Sequence, residues 1–128
     1  MKNILLGIIV LVIIGGSIWK NSSSSSGDTI KIGYVSPLTG DAATYGEPMY
    51  KAAQLAVDEI NNNGGIDGKN IELIPEDSKC VGKDALSAVQ KLISIDKVKF
   101  ISGFTCAEDV LTSASVIEKN KVIAPTPK

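Results

Sequence analysis

The amino-acid sequence predicts an α/β fold, a parallel sheet with helices on both faces. Three observations carry this. Short apolar runs alternate with longer segments of helical periodicity. Their order reads β-α-β-α-β-α-β, which builds a parallel sheet through crossover helices. The length of 128 residues, 44% of them apolar, suffices for one domain and not for two lobes.

In residues 30–35, Ile30, Ile32 and Tyr34 alternate with Lys31, Gly33 and Val35, the period of two that marks a strand. From Pro48 the period lengthens. Met49, Ala53, Ala56 and Ile60 form one stripe of a helix that Glu47 and Pro48 would open. Residues 61–65 stop it, with Gly64 or Gly65 left-handed, and Asp67 with Gly68 turns the chain. A second strand is expected at 71–75, then a helix over about 82–95 with the stripe Leu86, Val89, Leu92 and Ile93. A third strand at 98–102 precedes a helix over about 108–120, striped by Val110, Ala114 and Ile117, and a fourth strand at 122–125. Ligands of such sheets sit at the carboxyl ends of the strands. Those ends read SPLTGDAATYG, EDSKC, GFTCAE and APTPK, so functional residues are expected there.

Composition narrows the function. Net charge is −1, and beyond residue 27 the chain holds 11 lysines against 14 acids, a net −3. With no basic run and no aromatic-basic interleaving, nucleic acid is not an expected partner. Histidine, the commonest general base and zinc ligand, is absent. The first strand-to-helix turn lacks GxGxxG, and GGIDGK at 64–69 is one residue short of a P-loop and lies between helix and strand. Glu76 and Asp77 could pass for a catalytic pair, but capping and solvation of the loop that follows is the expected role. No nucleophile stands beside a base. The expectation is therefore no enzyme, no cofactor, and no catalytic or metal-binding residue.

Residues 1–20 carry Lys2, an apolar run over 4–14, then Gly15, Gly16, Ser17, Ile18 and Trp19. Continued to Trp19, that run makes a helix of about 24 Å, short of a bilayer core of about 30 Å. An export signal cleaved after Ser17 and an uncleaved membrane anchor both fit. No cysteine precedes Cys80, which excludes a lipoprotein. Residues 21–27, NSSSSSG, read as a flexible linker, in which the sequon at Asn21 is a chance match.

The motifs SPLTGDAATYG, AVDEINNNGGIDGK, EDSKC, FISGFTC and VIAPT, in that order over residues 30–126, resemble the periplasmic leucine/isoleucine/valine-binding protein family. These are type I solute-binding proteins of ABC transporters. The resemblance implies that residues 28–128 are an incomplete N-terminal lobe, a fragment of a longer protein, with 1–20 and 21–27 as signal or anchor and linker. It implies an extracytoplasmic binding component that traps a branched-chain or other amino acid, or an amide-like metabolite, between two lobes and presents it to a permease. The membrane would be a further partner if the N-terminal segment stays on. A membrane-tethered sensing domain of a signalling receptor is the alternative.

The same resemblance suggests site residues. Tyr45 matches a tyrosine that lines the ligand cleft, against the plainer reading of a loop aromatic packing on the first helix. Cys106 and Ala107 enter the third helix where a family serine helps hold the ligand carboxylate; alanine leaves only the backbone N–H. Pro125 and Thr126 follow the fourth strand, where backbone and threonine groups meet the ligand's ammonium and carboxylate, although Pro127 and Lys128 depart from the pattern. Cys80 and Cys106, the only cysteines, follow predicted strands at one sheet edge and match positions paired in some members. In an exported chain a disulfide is expected over two free thiols.

Overall fold

The computed structural model describes residues 29–125. The segments expected as signal or anchor and as linker, and Thr126, lie outside the described residues. Three strands and three helices alternate: β1 (Ile30–Ser36), α1 (Ala43–Asn62), β2 (Ile71–Asp77), α2 (Gly82–Ser94), β3 (Phe100–Ser102) and α3 (Ala107–Lys119). The strands form one parallel sheet in the order β2-β1-β3, with Ile30 opposite Ile71 and Ile32 opposite Phe100. The fold class predicted from the sequence is the one found.

As the central strand, β1 is covered on both faces, and Gly33 to Pro37 are all buried. Successive side chains of a strand point to opposite faces, and here they meet different helices. Tyr34 stacks at a tilt on Tyr50 of α1, ring centroids 5.4 Å apart. Val35 joins a core with Ala85, Ala88, Val89 and Leu92 of α2 and with Val98, Ile101, Phe104 and Val122. At about 25 cal/mol per Å² of apolar surface, each fully buried Leu or Val contributes roughly 1.5–3 kcal/mol, and the fully buried apolar residues Val35, Val89, Leu92 and Ile101 all lie in this cluster. Packed on α2, α3 adds Val110, Val116 and Ile117 at the margin.

Five expectations need correction. The first helix begins at Ala43, not Pro48, and Pro48 lies inside it. Proline lacks the N–H that would bond the carbonyl four residues back, that of Thr44, a loss tolerable near a helix start. The stripe on α1 is also rotated. Met49 and Ile60 are exposed, whereas Gly46, Tyr50, Ala53, Val57 and Asn61 face the sheet. One residue turns a helix by about 100°, and the register is set where Gly46 meets Pro37: a Cβ there would fall 2.0 Å from the Pro37 carbonyl oxygen.

On α3 the innermost residues are Asp109 and Ser113, both fully buried, while Ala114 is exposed. The fourth strand reduces to one parallel bridge between Phe100 and Ile123. Its two hydrogen bonds, Ile101 N–H to the Ile123 carbonyl and Ile123 N–H to that of Lys99, are both 3.0 Å.

The third strand, expected at 98–102, starts only at Phe100, because Val98 is drawn into the core by its N–H bond to the Leu92 carbonyl (3.1 Å) at the end of α2. Elsewhere the expectations hold closely. Gly64 and Gly65 both take positive φ after α1, and Asp67 and Gly68 do so in the turn that follows. Strand β2 runs two residues past 75, because Pro75 sits on a strand with only one neighbour among the described residues and needs no ladder N–H on its outer side. Asn61 closes the crossover: its side chain donates to the Ile71 carbonyl (2.9 Å) and accepts from the Ile71 N–H (2.7 Å).

Candidate functional site

All carboxyl ends of a parallel sheet lie on one side, so the connections 37–42, 78–81 and 103–106 gather there. They are tied to one another in pairs. The Asp77 carboxylate at the end of β2 accepts the N–H of Leu38 (2.8 Å) and of Thr39 (3.3 Å), together with the Thr39 hydroxyl. Cys80 and Cys106 join the second connection to the third, Cα atoms 5.6 Å apart and sulfurs paired, a span suited to a disulfide. The Ser36 and Thr105 hydroxyls, 3.0 Å apart, join β1 to the third.

Within this frame the expected residues take distinct positions. Tyr45 stands in the first turn of α1 with 72% of its surface exposed. One turn on, Met49 shares its face, and the Met49 sulfur lies 3.9 Å from the Thr105 hydroxyl. This places the Tyr45 ridge beside the connection that ends at Cys106. Tyr45 does not pack back onto α1's buried face, which belongs to Gly46 and Tyr50. Cys106 is the extended N-cap of α3 (φ −107°, ψ 134°) and provides no side-chain cap. Ala107 follows it, exposed, at a helix start where the Asp109 N–H bonds the Cys106 carbonyl (3.1 Å) and the amides of Ala107 and Glu108 precede any intrahelical acceptor. Such amides, at the positive end of the helix dipole, suit an anion. Pro125 is exposed and is the last of the described residues.

The electrostatics follow from burial. Burial pushes the Asp109 carboxyl above its ordinary value of 3.8, and neighbouring Glu108 pushes the same way. The Ser78 side chain nearby pulls it down, yet neither Asp109 oxygen meets a donor with hydrogen-bond geometry, and the Ser113 hydroxyl is equally unpartnered. An unpaired buried charge is costly, and this is why the Asp109 carboxyl holds its proton more tightly than a carboxyl in water. At Asp77, burial raises the carboxyl, but the bonds from the Thr39 hydroxyl and from the amides of Leu38, Lys79 and Thr39 outweigh it and hold the group below 3.8.

Glu76 and Asp77 do not act as a pair. Glu76 binds Lys91 of α2. Asp77 caps the following loop through the Lys79 N–H at 3.0 Å, as expected, but its larger task is to hold the loop before α1. Sequence reasoning missed that task, since donors and acceptor lie 38 and 39 residues apart. A groove of about 830 Å³, bordered by Ser94, Lys97, Ser115 and Lys119, lies at the opposite end of the sheet and belongs to a different region. Among the described residues no cluster of metal-binding side chains occurs, and no helix is long and apolar enough to cross a membrane.

The described residues thus form a parallel α/β unit whose carboxyl-edge loops are tied to one another in pairs. The chain belongs to the periplasmic binding protein family, whose model matches residues 29–127. It is 34% identical over 106 residues to a leucine-, isoleucine-, valine-, threonine- and alanine-binding protein of Pseudomonas aeruginosa, a match covering 83% of this chain and 28% of that protein. Among solved structures it resembles the branched-chain amino acid transporter substrate binding protein LivJ of Streptococcus pneumoniae in complex with isoleucine. That match has 38% identity and a TM-score of 0.73, over 76% of this chain and 28% of that one. A solute binding protein of an ABC transporter from Rhodopseudomonas palustris, in complex with 3,4-dihydroxy benzoic acid, matches with 30% identity and a TM-score of 0.69, over 75% and 26%. The chain thus spans less than a third of the length of these relatives. They are named as binding proteins, not enzymes, and lend no support to a signalling receptor.

Proposed function

We propose that this chain is the first part of the N-terminal lobe of an extracytoplasmic solute-binding component of an ABC transporter. Its ligand is a small carboxylate, a branched-chain or other amino acid first. The observation that carries this reading is the open start of α3 at Cys106 and Ala107 beside the Tyr45 ridge. The amides there receive the ligand carboxylate, and Tyr45 covers its side chain. Pro125 and Thr126 would add backbone and hydroxyl contacts at the fourth strand position. Isoleucine and dihydroxybenzoic acid, bound by two of the relatives, share a carboxylate and little else. A second lobe closes over the ligand by hinge motion, and the closed form docks on a permease.

In the exported protein Cys80 and Cys106 form a disulfide, and residues 1–20 serve as its signal or anchor. Mass spectrometry of the mature N-terminus decides between those two. For the ligand, titration calorimetry on the complete gene product with isoleucine, leucine, valine and 3,4-dihydroxybenzoate is the test. Saturable one-to-one binding of at least one of them is expected. No heat with any of the four would overturn the reading.

A further inference from the structure

The connection 37–42 leaves the sheet and delivers α1 with Tyr45 in its first turn. Register places Ser36, the last residue of β1, opposite Asp77, so the Asp77 carboxylate stands level with the point where the chain departs. Through Oδ1 it accepts the N–H groups of Leu38 (2.8 Å), Thr39 (3.3 Å) and Lys79 (3.0 Å); through Oδ2 it accepts the Thr39 hydroxyl. The Ser78 N–H, donating to the Ser36 carbonyl at 3.0 Å, extends the pairing by one residue. Beyond the latch, Gly46 sits so close to Pro37 that no side chain fits between them. Tyr45 is the residue before Gly46. Asp77 therefore fixes residues 38–39, Pro37 seats Gly46, and the start of α1 has little freedom left.

We propose that Asp77 is a positioning residue of the ligand site, latching the first strand-to-helix loop so that Tyr45 stands in place before ligand arrives. This rests on the ligand reading above. A carboxylate suits the task because hydrogen bonds to a charged acceptor are about twice as strong as neutral ones, and one group takes four donors. Preorganisation matters because ordering a loop on binding subtracts from affinity.

The test compares Asp77→Ala, Asp77→Asn and Thr39→Val in the complete gene product. Isoleucine affinity is measured by calorimetry well below each variant's melting temperature, and amide hydrogen exchange is followed at Leu38 and Thr39. Asp77→Ala is expected to weaken binding about tenfold or more and to speed exchange at both amides. Asp77→Asn keeps Oδ1 for the three amides and offers an N–H to the Thr39 hydroxyl, so it should stay within about threefold of wild type. Thr39→Val should fall between them. A purely structural Asp77 would lower the melting temperature and leave the affinity of the folded variant unchanged, and that result overturns the proposal. So does unaltered exchange at Leu38 and Thr39. If Asp77→Ala does not fold, the same comparison is made on Thr39→Val, where wild-type affinity and exchange overturn the proposal. If wild type itself binds no isoleucine or other probe, the ligand reading fails, and exchange alone judges the latch.

Discussion

Gly103 lies against the Tyr34 ring: a Cβ at position 103 would fall 2.8 Å from Cε1 and Cζ of that ring and 2.9 Å from Cδ1. The contact fixes the connection after β3 against the central strand, just upstream of Thr105 and Cys106. Gly103 also has φ +90°, a conformation that side chains rarely adopt. Gly103→Ala is therefore doubly disfavoured and should lower stability by about 2–4 kcal/mol, adding backbone strain to a clash with a buried ring. Urea unfolding checks it; a loss under about 0.5 kcal/mol would mean that the loop relaxes freely.

Asp109 predicts an unusual pH dependence. Its folded carboxyl titrates above 3.8, so the folded state holds the proton more tightly than the unfolded chain. The resulting stabilisation is fully present below the unfolded value and is lost as pH rises through the folded value. Asp109→Asn removes the titration. The difference in urea midpoint between Asn variant and wild type should shift in favour of the variant as pH rises from about 4. A difference that stays constant with pH would show that the Asp109 carboxyl titrates alike in the folded and the unfolded chain. Asp77 acts with the opposite sign: its stabilisation is present above 3.8 and is lost as pH falls through the lowered folded value.

How far the sequence was legible depended on the range of the physics involved. Helix α2 was placed to within a residue, since its stripe of Val89 and Leu92 and the glycine at its start are local signals. The gathering of the connections at one edge was legible as well, because element order alone puts them at the carboxyl ends of the strands. The start and rotation of α1 were not. Pro48 reads locally as a helix opener, and only the close approach of Pro37, nine residues earlier than Gly46, gives that glycine a place inside the helix. Asp109 and Ser113 were passed over on α3 because apolar periodicity cannot register a buried polar face. The hydroxyl pair of Ser36 and Thr105 is 69 residues apart in sequence and carries no local signature.

Asn61 makes a third prediction. Two hydrogen bonds join its side chain to the N–H and carbonyl of Ile71, the first residue of β2. Asn61→Ala leaves both groups of a buried residue without those partners, and should cost about 1–3 kcal/mol. Exchange at the Ile71 amide should rise more than at Ile74, deeper in the strand. Equal changes at the two positions would argue that the variant weakens the whole fold rather than the start of β2.

Cys80 and Cys106 are separated by 26 residues, and a link between them restrains the unfolded chain far more than the folded one. For a loop of that length the restraint contributes about 3.5 kcal/mol. The folded geometry adds a second role, since the pair joins the loop latched by Asp77 to the start of α3. The double variant Cys80→Ser, Cys106→Ser should thus lose about 3–4 kcal/mol by urea unfolding, and reduction of wild type should give nearly the same loss. Thiol counting under denaturing, non-reducing conditions should find no free thiol in the exported protein. Two free thiols, or an equal stability before and after reduction, would leave the Asp77 latch and the hydroxyl pair of Ser36 and Thr105 as the ties that hold these loops.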